Sequence, residues 1–397
     1  MATAVIVDAV RTASGRGKPG GALSGVHPAD LISSVIRDMV ERTGIDPDVI
    51  DDVILGCVSQ AGKQTFNIAR WAALGAGLPE RIPGVTVDRQ CGSSQQAAMF
   101  AAQAIISGMQ DVVIAGGIES MSANPIGYSL VGHEPYGELV HGRYPGGLVN
   151  QGAAAELVTK QWGLSKNDLN EFSAESHRRA AAASSSGAFD REILPVKVPD
   201  ASGALTLFKT DETIRPATTA EGLSGLPASF RTEELAARFP EIEWNITPGN
   251  SSPLTDGASA ALIMSEERAK ELGLKPRARF HTFSVTGSDP LLMLTGVIPA
   301  TWQVLKKSGL ELSDIDAFEV NEAFAPVPLA WLRETGVDPE KLNPRGGAIA
   351  LGHPLGASGG RLLATMLHYL EDTGGRFGLQ TMCEGGGTAN ATIIEVL

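Results

Sequence analysis

Cysteine is scarce in this chain of 397 residues: Cys57, Cys91 and Cys383 are the only three, odd in number and far apart. No CxxC pair and no Cys/His ligand spacing occurs, so neither a disulfide framework nor a zinc site is indicated and a reducing compartment fits. Aromatic residues make up only 5%, too few to suggest sugar or base stacking surfaces. Positive charge is in deficit. With a formal net charge of −13, nucleic acid and anionic membrane surfaces are poor general partners, and a polyanionic substrate needs a local basic pocket. No apolar run approaches the roughly 20 residues of a spanning helix, so membrane insertion is not expected. The run Met1 to Arg11 has the layout of neither a signal nor a transit peptide, and the ending Glu395-Val396-Leu397 is no peroxisomal address. The expected location is the cytoplasm.

What is plentiful is glycine, at 46 residues, within a chain that is 43% hydrophobic and 19% charged. Those proportions describe a globular protein, and the length predicts two or three domains. Short apolar strands (Ala4–Val7, Val53–Cys57, Val112–Ala115; Ala317–Val320, Leu379–Cys383, Thr392–Val396) alternate with helical stretches (Ala29–Arg42, Gln95–Met109, Thr301–Ser308, Gly360–Leu370). That alternation predicts α/β layering around buried sheet. The rhythm occurs twice, with a weak repeat between the turn at Cys91 and the turn Gly352–Gly360. The expected domains are an N-terminal half, 1–268, and a C-terminal half, 273–397. The first half carries an insertion at about 120–247 with helices of its own (Gln151–Trp162, Lys166–Ser186) and a polar hairpin near Pro199–Leu207.

Cys91 stands where a buried strand, Ile82–Val87, gives way to a helix, with Ser93 and Ser94 as candidate N-cap hydroxyls. A thiol at a helix N-terminus meets the positive end of the macrodipole, which favours thiolate over the unperturbed pKa of about 8.5. Read singly, Cys91 is equally a small buried hydrophobe. Three further motifs lie at strand ends or glycine turns, where ligands gather in α/β sheets. They are Asn321-Glu322-Ala323-Phe324-Ala325, Gly352-His353-Pro354, and Cys383-Glu384-Gly385-Gly386-Gly387. Each has an ordinary structural alternative: Asn321 as a helix cap, His353 as a turn residue, Cys383 as core. Two Cys, one His and one Asn at four such positions suggest one shared site.

Together and in this order the motifs resemble those of the thiolases, over essentially the whole chain. Pro248-Gly249-Asn250-Ser251-Ser252 is similar to the family's pantetheine-contact turn. The resemblance implies a five-layered αβαβα core of two similar halves plus a loop domain, assembled as a homodimer or homotetramer. It implies a reaction in which Cys91 attacks a thioester or ketone carbonyl and His353 takes its proton. Cys383 then moves the proton of the acetyl-CoA α-carbon. Asn321 (with a water) and His353 form one oxyanion site, and the backbone N–H groups of Cys91 and Gly385 form the other. It implies no metal or permanently bound cofactor, with coenzyme A and acyl-CoA or 3-ketoacyl-CoA as the small-molecule partners. Ser252, Gly249, Ala323 and Phe324 then face pantetheine, and Arg215 faces the adenosine 3′-phosphate region, although a solvated surface arginine is an ordinary alternative for Arg215.

Departures from the pattern bear on the substrate. Asn150-Gln151-Gly152 stands where short-chain biosynthetic members often carry His-Met-Gly. Ser94 replaces a usual Gly, Pro253 replaces a Gly, Met293 falls among pocket-lining positions with a core methionine as an equal alternative, and the stretch from Arg231 to Asn245 is long. These changes suggest a longer, branched or bulkier 3-ketoacyl chain than acetoacetyl. The competing readings are a non-catalytic acyl-CoA or lipid carrier on the same scaffold, and a condensing enzyme of the ketoacyl synthase type.

Overall fold

The computed structural model describes residues 2–199 and 203–397. The strands are Ala4–Thr12 (β1), Gly15–Arg16 (β2), Asp52–Gly56 (β3), Gly84–Val87 (β4), Val112–Ser120 (β5), Ile193–Leu194 (β6), Val196–Pro199 (β7), Leu205–Phe208 (β8), Thr255–Ser265 (β9), Ala278–Gly287 (β10), Ala317–Val320 (β11), Phe377–Glu384 (β12) and Thr388–Val396 (β13). The helices are Pro28–Thr43 (α1), Ile68–Gly75 (α2), Ser93–Ser107 (α3), Glu138–Arg143 (α4), Gln151–Gln161 (α5), Lys166–Ser185 (α6), Ala220–Ser224 (α7), Glu233–Arg238 (α8), Glu266–Glu271 (α9), Val297–Ser308 (α10), Pro326–Thr335 (α11), Ala348–Leu351 (α12) and Ser358–Thr373 (α13).

The first half pairs its strands in the order β1-β9-β5-β3-β4 and the second in the order β11-β12-β13-β10. The pairs Val5–Arg279 and Ile6–Ala278 join the two sheets, through β1 and β10. Both halves follow one plan: strand, helix, strand, helix, then a central helix (α3 or α13) and an antiparallel strand pair. Even the short parallel β3–β4 contact has a counterpart in the bridge Phe318–Leu342.

Apolar side chains sort into three layers of core, each formed where a helix stripe meets one face of a sheet. α1 and α2 cover the outer face of the first sheet. α5, α10 and α11 cover the outer face of the second. Between the sheets lie α3 and α13, whose Ala97, Ala101, Leu363 and Leu367 pack with Ile54, Ala115, Ala317 and Ile394. Small residues let the two central helices approach closely: Gly360 N–H donates to Ser94 Oγ at 2.9 Å. The result is the αβαβα arrangement expected from the motifs.

The tract between β5 and β9 holds α4 to α8 and β6 to β8. Its β6 pairs parallel with β1. Wholly buried Arg11 fastens it further, with Nε 2.7 Å from Glu192 and Nη1 2.7 Å from Asp211. The hairpin is β7 paired with β8; the residues 200–202 of its expected turn lie outside the described residues. One strand departs from expectation. β4 spans only Gly84–Val87 and is half exposed, because it ends the sheet and Val85 faces outward at 43% exposure.

Candidate active site

The turn carrying Cys91 is built by its neighbours. Gln90 adopts φ 48°, and its N–H donates to Asp88 Oδ1 at 2.7 Å. Ser93 Oγ accepts from Arg89 N–H at 2.9 Å and donates to Gln90 O at 2.6 Å. Ser93 therefore staples the turn before α3 and is not an N-cap. Ser94 is occupied with Gly360, and the N-cap position falls to Gly92, which offers no side chain. Because Ser94 sits within the helix, it needs no positive φ, and the usual Gly is dispensable there.

The His353 loop is held against the end of the first sheet. A Cβ on Gly117 would lie 2.0 Å from Gly356 O, so only glycine permits the approach. Buried Glu119 then locks the loop: its carboxylate accepts from Gly356 N–H at 2.9 Å, Val58 N–H at 3.0 Å, Ser59 N–H at 3.1 Å and Gln64 Nε2 at 2.9 Å. His353 N–H donates to Thr255 Oγ1 at 3.0 Å.

A directed chain of hydrogen bonds sets the imidazole. Ser358 Oγ donates to Pro354 O at 2.9 Å, so its lone pair faces His353 Nδ1, 2.6 Å away. Nδ1 accordingly carries the proton, and Nε2 presents a lone pair 3.4 Å from Asn321 Nδ2. A neutral histidine with a free Nε2 lone pair is a proton acceptor. Burial, reinforced by the nearby Arg361 guanidinium, lowers the His353 pKa to about 3 and keeps it neutral. Asn321 follows β11, with its N–H on Thr381 O at 3.1 Å, and its buried Oδ1 finds no partner among the described residues.

Cys91 packs with Leu362, Met382 and Leu355 and is 3% exposed. Cys383, in β12, is fully buried, and a charge on Cys91 raises its pKa further. The expectation that Cys91 rests as thiolate is overturned. Burial first, and then the Glu384 carboxyl, push its pKa up to about 12, outweighing a hydrogen bond from the Gln151 side chain and one from its own amide. Burial likewise raises Cys383 well above an ordinary thiol. The helix terminus is too weak a field, worth about 1 kcal/mol at most exposed sites, to offset removal of a sulfur anion from water. At rest both the Cys91 thiol and the His353 imidazole are neutral.

Four of the coenzyme-contact candidates come together. Ser252 N–H and Oγ both donate to Ala323 O at 3.0 Å. Ser251 bridges Phe324, whose ring meets Phe230 edge-on with centroids 5.8 Å apart. Gly249 lies one residue before Asn250, whose carbonyl accepts from Ala325 N–H at 3.0 Å. Arg215 stands apart from this group: its N–H donates to His177 Nδ1 at 3.2 Å, and its side chain is exposed with no ion pair to a described residue. Met293 proves to be buried core with φ 51°. Sequence reasoning passed over Ser358, Glu119 and Glu384 as site residues. A hydroxyl one helical turn beyond Pro354 was the available signal for Ser358; the other two carry none short of the fold.

Comparison with known proteins bears on this arrangement. Residues 4–267 match the family model of the thiolase N-terminal domain, and residues 274–396 match that of the thiolase C-terminal domain. A steroid 3-ketoacyl-CoA thiolase of Mycobacterium tuberculosis is 49% identical over 407 residues, covering 100% of this chain and 95% of the relative. A 3-ketoacyl-CoA thiolase of Salmonella typhimurium is 44% identical over 400 residues, covering 100% of both chains. A crystal structure of the Bacillus anthracis acetyl-CoA acetyltransferase superposes with a TM-score of 0.89 at 38% identity, covering 100% of this chain and 99% of that one.

Proposed function

This chain belongs to the thiolase family and is an acyltransferase, and from that premise we propose the residues that carry the reaction and the substrate it prefers. In the cleavage direction the Cys91 thiol gives its proton to His353 Nε2 as sulfur attacks the C3 carbonyl of a 3-ketoacyl-CoA. The tetrahedral oxyanion collapses, the C2–C3 bond breaks, and the acetyl-CoA carbanion takes a proton from Cys383. Coenzyme A then gives its thiol proton to the Cys383 thiolate and attacks the acyl-Cys91 thioester. Cys91 leaves and recovers the proton from His353, so both thiols are restored. The reverse sequence is a Claisen condensation through the same residues. Asn321 with His353, and the amides of Cys91 and Gly385, are assigned to the two oxyanions. One well-placed donor of that kind contributes about 3–4 kcal/mol to the transition state. Transfer is redox-neutral, so neither a metal nor a redox cofactor is required, and coenzyme A enters as substrate.

The observation that supports these roles best is the directed chain Asn321, His353, Ser358, Pro354, which leaves Nε2 of a neutral imidazole as a proton acceptor. Ser252, Gly249, Ala323 and Phe324 form the assigned pantetheine wall, and exposed Arg215 the phosphate contact.

For the substrate we favour a 3-ketoacyl chain longer, branched or bulkier than acetoacetyl. The Gln151 side chain at the sulfur, and the 49% identity to a relative named for steroid 3-ketoacyl-CoA, support that reading. A series of 3-ketoacyl-CoA thioesters tests it: kcat/KM should rise with acyl bulk, and a steep fall from acetoacetyl-CoA onward would refute it.

We infer assembly as a homodimer or homotetramer, a reading supported by surface that a lone chain leaves wet. Phe66 is 82% exposed beside the open edge of β4, Val131 is 75% exposed in the loop before α4, and Leu139 is 91% exposed in α4. Apolar surface of that kind marks protein contacts. Among the described residues no helix is long and apolar enough to cross a membrane, and we assign the protein to the cytoplasm.

A further inference from the structure

Glu384 is a wholly buried carboxyl that the acyl-transfer steps leave unused. It follows Cys383 at the end of β12, and its side chain folds back over the nucleophile turn. Oε2 accepts from Thr388 Oγ1 at 2.6 Å, while Oε1 has no partner among the described residues. A Cβ on Gly92 would lie 2.0 Å from Oε1 and 2.7 Å from Asn390 Nδ2. The carboxyl therefore rests on the Cα of the residue that follows Cys91. Asn390 completes the brace by donating to Gly92 O at 3.1 Å.

Four ionisable groups face Glu384. Arg89 and Asp88 lie on the turn before Cys91, the first attracting a carboxylate and the second repelling it. Cys91 and Cys383 lie to either side, and a charge on Glu384 opposes a charge on either sulfur. Two anions in one dry site each raise the cost of the other. A neutral acid there leaves room for the Cys91 anion that attack requires; a carboxylate does not.

We propose that Glu384 is a positioning residue of the thiolase reaction, kept as a neutral acid against the Gly92 turn while Cys91 reacts, and that its ionisation suppresses Cys91. The proposal rests on the assignment of Cys91 as nucleophile. Burial raises the Glu384 pKa to about 8, so the acid is neutral near pH 7 and the suppression belongs to alkaline solution.

The test is the rate of iodoacetamide alkylation at Cys91, read by peptide mapping, for the wild type and Glu384→Gln from about pH 6 to about pH 10. Glutamine keeps the size and the Thr388 contact but cannot ionise. Below about pH 7 the two rates should agree within about twofold. Above about pH 8 the wild-type rate should flatten while the variant keeps rising, to a gap of about tenfold, the equivalent of one pKa unit. Thr388→Val removes the hydroxyl that favours the ionised form and should move the flattening to higher pH. Superimposable profiles for wild type and Glu384→Gln, or a flattening that Thr388→Val leaves in place, overturn the proposal. Isotope-edited infrared spectra supply an independent arm: the wild type at neutral pH should show a protonated carboxyl C=O band that Glu384→Gln lacks. Its absence from the wild type also overturns the proposal. If Cys91 resists alkylation in both folded proteins, the nucleophile assignment fails, and the infrared band alone then decides the state of Glu384.

Discussion

Ser358 Oγ lies 2.6 Å from His353 Nδ1 while donating its own proton to Pro354 O, 2.9 Å away. One hydroxyl thereby selects the tautomer in which Nε2 is a base. Ser358→Ala removes that selection. A buried hydrogen bond contributes about 1–1.5 kcal/mol, so kcat/KM should fall about tenfold with a similarly small loss of stability. Steady-state kinetics and a urea titration check both. Unchanged kcat/KM would mean that the tautomer is set elsewhere.

Because the His353 pKa lies at about 3, the base does not titrate in the usual histidine range. The rate of Cys91 acylation should therefore show no inflection near about pH 6.5, the unperturbed histidine value. Single-turnover acylation measured from about pH 5 to about pH 8 decides this. A clear step centred near 6.5 would assign the imidazole a more hydrated setting than the fold provides.

Gln151 carries a side-chain amide to the Cys91 sulfur, where it favours the anion. Methionine at that position fills a similar volume and offers no N–H. Gln151→Met should slow alkylation of Cys91 by about tenfold, the worth of one hydrogen bond to a charged group. It should leave thermal stability nearly unchanged. Equal alkylation rates would show that the amide does not reach the reacting sulfur.

Stability should depend on pH in a direction fixed by two buried acids. Burial raises Glu319 and Glu384 to about 8, far above the unfolded carboxylate value. Between about 4.5 and about 8 the folded chain holds these protons and the unfolded chain does not, so their contribution declines as pH rises. Buried His177, His353 and His368, lowered to about 4, 3 and 3, act oppositely, favouring the fold increasingly as pH rises toward about 6.5. Above about 6.5 the histidines no longer contribute, and the acids set the slope, joined toward about pH 8.5 by the buried thiols, whose raised pKa acts in the same direction. The melting temperature should fall from about pH 6.5 to about pH 8.5, and Glu319→Gln should flatten that slope. A rising slope would contradict the burial of these acids.

Glu119 is a keystone between the halves, with four donors converging on one carboxylate: Val58, Ser59 and Gln64 from the segment after β3, and Gly356 from the His353 turn. Glu119→Ala strands those donors in the dry interior at about 1–3 kcal/mol each. Loss of several kcal/mol in chemical denaturation is expected, and a near-neutral effect would show that water replaces the carboxylate.

Much of this was legible in the sequence. The strand-helix rhythm placed both sheets and the central helices within a few residues, because burial on both faces gives strands an apolar signature that composition exposes. The four motifs were visible because each stands at the end of an apolar strand or in a glycine turn. What the sequence concealed depends on contacts between distant segments. Glu384 and Cys91 are far apart in the chain, yet that carboxyl rests on the turn that carries Cys91. Ser93 has the chemistry of an N-cap but spends its hydroxyl on Gln90 and Arg89, a choice made by the positive φ at Gln90. The exposure of Val85 reflects the place of β4 at the sheet end, which no local pattern records.

The most direct test of the assigned chemistry is intact-mass spectrometry, with peptide mapping, after mixing the protein with a 3-ketoacyl-CoA in the absence of free coenzyme A. A shortened acyl group should appear on Cys91 and disappear when coenzyme A is added. Absence of an adduct on Cys91 across short and bulky substrates, or an adduct on Cys383 in its place, would contradict the assignment of Cys91 as the nucleophile.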